Sequence, residues 1–176
     1  MHATDYSAPD GATAATPATQ REVMARFATG VVLLTTGGEH VHGMTANAFT
    51  SVSLNPELVL CCVDHTAVMH KAMGAAERFG VSVMSAEHRE LARHFADKDR
   101  PLGDAQFTDV GWAPGPRTGA PLLSGALAWL ECEVTETSEA GDHTIFLGRT
   151  LSAWQGAAGD GLLYFDGRFS DVTRER

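Results

Sequence analysis

An uncharged polar face in the segment GMTANAFTSVSLNPELVLCCV, residues 43–63, is the first sign of chemistry in this chain. Side chains of an extended strand alternate between two faces. One face here carries short hydroxyls and an amide without any charge, which suits a ligand rich in carbonyl or anionic groups. A polar strand at a sheet edge is the alternative. The polar set is Thr45, Asn47, Phe49, Ser51 and Ser53, and the opposite set, which we predict to be core, is Met44, Ala46, Ala48, Val52 and Leu54.

The segment VDHTAV, residues 63–68, is a second candidate. It follows an apolar run of strand length and opens a predicted helix, for which Thr66 is the expected N-cap. The N-terminus of a helix presents free N–H groups and partial positive charge, which favour a phosphate. A plain helix cap is the alternative.

The eight histidines form no recognisable metal motif. The chain has neither H-E-x-x-H nor a Cys/His quartet. His40 and His42 share a strand face, and we interpret them as a surface pair. His65 and His70 are five residues apart, one more than a helical turn, so we expect their side chains to diverge. We therefore predict no metal site.

Composition excludes several classes of function. The net charge of −9 argues against nucleic acid and against an anionic membrane surface. No apolar run approaches the roughly 20 residues of a membrane helix, and we expect no secretory signal. The chain also lacks a Rossmann glycine pattern, a Walker loop and a G-x-S-x-G elbow. Three cysteines without redox spacing predict reduced thiols in a cytoplasmic protein: Cys61, Cys62 and Cys132.

Strand patterns dominate the chain, and its helices do not alternate with them regularly. We therefore predict a mainly β fold with peripheral helices, an antiparallel barrel rather than a doubly wound sheet. Residues 1–18 are interpreted as a flexible N-terminal arm and residues 19–176 as a single domain. The expected elements include a helix capped by Thr19, a helix capped by Ser85, a long hairpin turning near residues 139–142, and one last strand in LLYFDGRF.

Seven sequence blocks, in order, resemble the flavin reductase-like, FMN-binding split-barrel family. They are FATGVVLLTT, GMTANAFTSVSLNPELVLCCVD, FGVSVMS, LARHFA, GALAWLECEV, GDHTIFLGR and LLYFDGRF. The chain is similar to the reductase component of two-component flavin-dependent monooxygenases. Each block alone is weak, and their common order over residues 27–169 carries the resemblance.

The resemblance implies a homodimer built on a six-stranded antiparallel split barrel. It implies reduction of FMN or FAD by NADH or NADPH, and delivery of the reduced flavin to a separate monooxygenase. His143, in the GDH block, is the implied catalytic residue beside the nicotinamide and flavin rings. Because Thr50 is implied in flavin binding despite its core-side parity, we predict a bend or bulge near Phe49. The implied cofactor-binding residues are Met44, Thr45, Ala46, Asn47, Thr50, Ser51, Cys62, Val63, Asp64, His65, Ala67, Ser85, His88, Phe95, Ala96, Tyr164, Arg168 and Phe169.

Three positions depart from the family pattern and leave the choice between FMN and FAD open. Ala48 stands where many relatives have Ser, His88 where Gln is frequent, and Asp166 where a basic residue is common. Two other functions on the same barrel are alternatives. One is a non-catalytic flavin- or haem-binding carrier or sensor, and the other is an oxidase resembling pyridoxamine-phosphate oxidases. The GDHT block favours the reductase.

Overall fold

The structure, a computed structural model, describes residues 18–172. The predicted arm at residues 1–18 lies outside this part of the chain except for Ala18, so the predicted domain boundary stays a prediction. The helices are α1 (Gln20–Met24), α2 (Val68–Ala76) and α3 (Arg89–Ala96). The strands are β1 (Thr29–Gly30), β2 (Val32–Thr36), β3 (His42–Ala46), β4 (Phe49–Leu54), β5 (Glu57–Asp64), β6 (Arg78–Val83), β7 (Trp112–Pro114), β8 (Pro121–Leu123), β9 (Ala128–Ala140), β10 (His143–Gln155), β11 (Gly161–Phe165) and β12 (Arg168–Val172).

The main sheet has seven strands in the order β3-β2-β6-β9-β10-β5-β4. Its two edge strands, β3 and β4, are consecutive in the chain and separated only by Asn47 and Ala48. The three Cα–Cα steps from Ala46 to Phe49 span at most about 11 Å, so the sheet must coil until these two edges come close together. Every pairing is antiparallel. The mainly β, antiparallel prediction is confirmed, and the sheet is an open coil compatible with a split barrel, with seven strands instead of the expected six.

Two apolar clusters stabilise this coil. The first lies between the sheet and α2 and contains Phe79, Phe146 and Met73, all at most 2% exposed. The second joins α3 to β11 and contains Phe95, Met84 and Leu162. All five residues of β2 are buried, as a continuous apolar run predicts for a central strand. Burial on this scale is the main stabilising contribution to the fold.

The helix caps agree with the sequence in two cases out of three. Thr19 caps α1 in a capping box with Glu22, as predicted. Ser85 begins a 3-10 turn, Ala86–His88, that leads into α3. The prediction for Thr66 is wrong because Ala67 is the N-cap of α2. The Thr66 hydroxyl instead donates to Asp64 Oδ1 at 2.7 Å, within a local turn.

The long hairpin is confirmed as β9 and β10, which turn at Gly141 and Asp142. Gly141 has φ +68°, a left-handed conformation that costs glycine little. The predicted single last strand is wrong, because β11 and β12 form a second hairpin. Its turn holds Asp166 and Gly167, both at positive φ, within the DG pair of the sequence.

No helix among residues 18–172 is long and apolar enough to cross a membrane.

The opening segment departs from strict alternation. The chain leaves the sheet at Asn47–Ala48, and β4 carries a register shift between Ser51 and Ser53, so the predicted irregularity near Phe49 is confirmed. Core placement of the opposite face holds for Ala46 but is wrong for Val52 and Leu54, which are 48% and 85% exposed. Ala48 is exposed as well. These residues lie at or beyond the split, where none of the residues in the described range 18–172 covers them.

Candidate functional site

A cleft of about 200 Å³ lies where the end of the edge strand β3 meets the last residue of α3 and the β11–β12 hairpin. The end of β3 and the start of the Asn47–Ala48 connection form one side, and the β11–β12 hairpin forms another. Six implied cofactor-binding residues meet here although they come from three distant parts of the sequence. The lining residues are Val31, Thr45, Ala46, Asn47, Ala96, Tyr164 and Phe169, and only Val31 was missed by sequence reasoning.

The polar groups of the cleft differ in what they offer a ligand. The Thr45 hydroxyl donates to the Ala92 carbonyl at 2.8 Å, which ties β3 to α3 and uses its proton. Its oxygen lone pairs still accept hydrogen bonds. Asn47 is exposed, and its amide carries both donors and an acceptor. Asn47 is therefore the more versatile hydrogen-bonding group at the mouth of the cleft.

Tyr164 and Phe169 form an aromatic wall of the cleft, and hydrogen bonds from α3 hold β12, the strand that carries Phe169. The rings of Tyr164 and Phe169 meet edge to face with centroids 5.6 Å apart. Arg89, at the start of α3, donates to the Phe169 carbonyl at 2.5 Å and to Asp171 at 2.5 Å. Arg89 thus anchors β12, a role that no local sequence pattern indicates. Arg168, the next implied residue, is exposed on the outer side of the hairpin.

Two implied residues beside this hairpin, Ser85 and His88, are buried in a local network. The His88 Nδ1 accepts from the Ser85 N–H at 3.2 Å, and its Nε2 donates to the Ser124 carbonyl at 3.1 Å. Desolvation lowers the pKa of His88, against smaller opposing effects of Ser124 and Glu87. His88 is therefore neutral, and its two hydrogen bonds join the segment at Ser85 to the loop at Ser124. Ser85 also bridges to Gly161 of β11.

Phe95 and Ala96 are neighbours with opposite environments. The Phe95 ring is fully buried and packs on Phe107 with centroids 5.2 Å apart. Its close approach also explains Gly43, where a Cβ would lie 2.8 Å from the Phe95 ring. The Phe95 side chain consequently has no surface for a ligand, while Ala96 lines the cleft.

The strand β5 connects the cleft to the predicted catalytic histidine. The Cys62 N–H donates to the Ala48 carbonyl at 3.0 Å, and this hydrogen bond fixes the Asn47–Ala48 connection against β5. Two residues further along β5, Asp64 is the register partner of His143. Two strand residues span about 7 Å, so His143 lies on the other side of β5 from the Asn47–Ala48 connection, two strand spacings across the sheet and about 7 Å along it. Val63, between them, is fully buried.

His143 is half-buried, and its Nδ1 lies 2.7 Å from Asp142 Oδ1. A carboxylate only accepts, so Nδ1 carries the proton and Nε2 is free to meet a ligand. The hydrogen bond from His143 lowers the pKa of Asp142, which keeps this orienting group charged. A side-chain hydrogen bond from Thr66 likewise lowers the pKa of Asp64. Sequence reasoning missed Asp142, although it adjoins His143.

The remaining implied residues differ in their exposure. Thr50 and Ser51 are exposed on the edge strand β4, and Ala67 is the half-buried N-cap of α2. Met44 packs against the first apolar cluster. All three cysteines are free, and desolvation raises the pKa of Cys61 and of Cys132 to about 12, so neither is a nucleophile.

Two expectations about histidines are wrong. His42 is buried, with Nε2 3.0 Å from Arg100 Nη2, and does not form a surface pair with His40. His65 and His70 converge, with ring centroids 5.2 Å apart. The chain between them is a turn followed by the first turn of α2, so helical spacing does not apply. Both Nε2 atoms meet the Thr144 hydroxyl, at 3.1 and 2.8 Å.

Comparison with known proteins establishes the family. The family model described as "Flavin reductase like domain" matches residues 24–173, so the chain belongs to the flavin reductase-like family, and the resemblance is confirmed. An NADH-dependent FAD reductase of Streptomyces globisporus is 51% identical over 149 residues, covering 85% of this chain and 82% of that protein.

Solved structures agree. BorF, the flavin reductase component of a bacterial two-component tryptophan halogenase, is 46% identical with a TM-score of 0.85, covering 88% of this chain and 97% of that one. The Streptomyces globisporus C-1027 NADH:FAD oxidoreductase SgcE6 in complex with NAD and FAD fragments is 48% identical with a TM-score of 0.81, covering 87% and 90%.

Proposed function

We propose that this protein is an NADH-dependent flavin reductase that reduces FAD or FMN and supplies the reduced flavin to a separate monooxygenase. The observation that carries the proposal is the cleft at the split, where Thr45, Asn47 and Tyr164 meet in a chain that matches the family over residues 24–173. NADH is the expected reductant because the 51% identical relative is named for NADH and FAD. The named relatives give no support to a non-catalytic carrier.

The residues of the cleft fit a flavin ring. An isoalloxazine is a flat, neutral ring with carbonyl and N–H groups at one end. The cleft pairs an aromatic wall, Tyr164 and Phe169, with the amide of Asn47, and no charged side chain of the described residues 18–172 lines it. Such a site binds a ring by stacking and directional hydrogen bonds.

The flavin, when bound, supplies the redox chemistry, accepting a hydride from the nicotinamide. The protein has to hold the two rings at near-attack distance, about 3 to 3.5 Å, and to exclude water. In this proposal Asn47 and Ser51 orient the flavin, and Tyr164 and Phe169 shield one side of the site. A general base is not needed for hydride transfer, which agrees with a cleft whose lining among residues 18–172 includes no Asp, Glu, His, Lys or Arg.

His143 is proposed to position the nicotinamide. Its Nε2 is the free ring atom because Asp142 holds Nδ1 at 2.7 Å. A neutral imidazole oriented in this way accepts a hydrogen bond, and the nicotinamide carboxamide is a suitable donor. Asp142 acts through His143 and is a positioning residue.

A homodimer is also proposed, because the cleft of one chain is small. Pockets for cofactor-sized ligands usually enclose about 300–1,000 Å³, whereas this cleft encloses about 200 Å³. The exposed apolar residues Val52 and Leu54 lie on β4, next to the implied flavin residues Thr50 and Ser51. A second copy of the chain over β4 would bury them and enlarge the site.

The dimer is tested by sedimentation and light scattering of the wild type and of Leu54→Asp. We expect a dimer for the wild type, dissociation for the variant, and a parallel loss of flavin affinity. Val68→Asp, at an exposed apolar position away from β4, is the control and should leave the dimer intact. A monomeric wild type would contradict the dimer.

The reductase activity is tested by adding NADH or NADPH to the purified protein with FAD or FMN and following the nicotinamide absorbance. Many turnovers per protein, with NADH preferred, are expected. Bound flavin without turnover would instead support the carrier. The predicted monooxygenase partner and cytoplasmic location belong to the same proposal, and the free thiols agree with a reducing compartment.

A further inference from the structure

The structure brings together two histidines and a glutamate, of which only His65 is among the implied cofactor-binding residues and none has a role in the proposed hydride transfer. The Nε2 atoms of His65 and His70 and a carboxylate oxygen of Glu139 all lie within 4.8 Å of one another. They come from three elements, the loop after β5, the first turns of α2 and the end of β9. We propose that these three side chains bind a divalent transition metal ion, with Zn²⁺ as the expected ligand.

The donor set matches zinc chemistry. The two imidazole nitrogens are borderline donors, which suit Zn²⁺ and its neighbours better than Mg²⁺ or Ca²⁺, and Zn²⁺ also accepts a carboxylate oxygen as a ligand. Three protein ligands with a fourth position open to water are typical of catalytic zinc sites. The Glu139 side chain is 75% exposed, so water can complete the coordination.

The ligand atoms are already directed at a common point by hydrogen bonds. The Thr144 hydroxyl lies 3.1 Å from His65 Nε2, 2.8 Å from His70 Nε2 and 3.0 Å from Glu139 Oε1. His65 Nε2 also lies 2.9 Å from Glu139 Oε2. For one cation to take the place of this hydroxyl among the three donors, Thr144 must rotate about χ1 so that neither its hydroxyl nor its methyl group points at the site.

The surroundings favour a fixed site. Thr144 is 2% exposed, and the His70 ring packs edge to face on the buried Phe146 with centroids 5.7 Å apart. The His65 N–H donates to the Asp142 carbonyl at 3.0 Å, which holds that loop against the β9–β10 turn. Fixed ligands lose little conformational entropy when they bind a metal.

A metal bound here would join the loop after β5, α2 and the β9–β10 hairpin. The turn of this hairpin carries Asp142 and His143. A metal ion that binds the folded chain and not the unfolded chain raises the free energy of unfolding in proportion to the logarithm of the free metal concentration. The expected consequence is a hairpin held more firmly to the body of the protein.

The test uses the full chain without an affinity tag, stripped with a chelator and free of flavin, so that its result is independent of the reductase proposal. Zn²⁺ is titrated by calorimetry, and Co²⁺ is added to record the visible absorption of a low-symmetry site. We expect one ion per chain, a Co²⁺ band that Zn²⁺ abolishes, and a higher thermal unfolding midpoint with Zn²⁺.

Variants assign the site. His70→Gln and Glu139→Gln should each weaken Zn²⁺ binding at least about 10- to 100-fold, since loss of even an outer partner costs that much. The matched controls are His40→Gln and Glu136→Gln, exposed residues outside the cluster, which should bind like the wild type. A cooperative thermal unfolding transition, measured for each variant in the presence of chelator, establishes that the variant is folded without metal. Absence of Zn²⁺ binding in the wild type, or equal binding by cluster and control variants, would overturn the proposal.

Discussion

The backbone N–H of Cys62 donates to the carbonyl of Ala48 at 3.0 Å and so fixes the two-residue connection between the edge strands β3 and β4 of the main sheet. The connection passes through Asn47, which lines the cleft. Along the same strand, Asp64 pairs with His143. The proposed flavin contact and the proposed nicotinamide contact are therefore positioned by one strand, β5, and the following predictions test this division of roles.

Asn47→Ala should weaken flavin binding without much change in the rate of hydride transfer in the saturated protein. Loss of one hydrogen bond of about 1 kcal/mol corresponds to roughly a fivefold weaker Kd. Quenching of flavin fluorescence gives the Kd. Ser138→Ala, an exposed serine on β9, is the control and should bind flavin normally. Full affinity in Asn47→Ala and Ser51→Ala together would show that this face does not contact the flavin.

His143→Ala should slow flavin reduction by about 10- to 100-fold, because a misplaced ring loses near-attack geometry. Flavin affinity should stay nearly unchanged, since His143 lies away from the cleft lining. Stopped-flow absorbance under single-turnover conditions measures the rate. Asp142→Asn should show a smaller loss of the same kind, because the amide no longer fixes the proton on Nδ1. The His40→Ala control should react at the wild-type rate, and an equal rate in His143→Ala would refute the proposed role.

The buried His42 should make folding stability depend on pH. Burial, together with the nearby charge of Arg100, lowers the pKa of His42 to about 4. In the unfolded chain this histidine titrates near 6.5. Its contribution to the free energy of unfolding is therefore complete above pH 6.5 and is lost as the pH falls toward 4, by at most about 1.4 kcal/mol per pH unit.

Urea unfolding of the wild type, of His42→Gln and of His40→Gln between pH 7 and pH 4 measures the contribution of His42 to the free energy of unfolding. The stability of His42→Gln should vary less with pH than that of the wild type. His40→Gln should keep the wild-type slope because His40 is exposed. Identical slopes in all three proteins would contradict the assignment.

Glu131 should stabilise the fold from inside. Its carboxylate is fully buried and accepts hydrogen bonds from the N–H groups of Arg117 and Thr118 and from two hydroxyls, those of Thr118 and Ser152. Desolvation raises the pKa of Glu131, but these hydrogen bonds together lower it below its ordinary value. Glu131→Gln should reduce the free energy of unfolding by about 2 kcal/mol.

Chemical denaturation near neutral pH measures that loss. Glu136→Gln, an exposed substitution on the same strand, should change stability by less than about 0.5 kcal/mol. Flavin affinity should remain normal in both variants, because Glu131 does not line the cleft. A wild-type stability for Glu131→Gln would show that the carboxylate contributes nothing net.

Much of the fold could be predicted because it depends on local patterns. The continuous apolar run of β2, the alternation in β9 and the Thr19 capping box each depend on neighbours in the chain. The last hairpin was missed, although the DG pair inside LLYFDGRF is a turn signal. The prediction that Val52 and Leu54 are core residues is wrong. The alternation of side chains along a strand shows which residues share a face, but it does not show whether another element covers that face.

The candidate site divides in the same way. By itself, the sequence determined the family, through seven blocks in order, and the uncharged polar face that includes Thr45 and Asn47. Only the tertiary structure decided that Tyr164 and Phe169 close the same cleft, that Phe95 faces the core, and that His65, His70 and Glu139 converge. The physical reason is that residue spacing determines faces within one element, whereas distances between elements depend on how the sheet coils and packs.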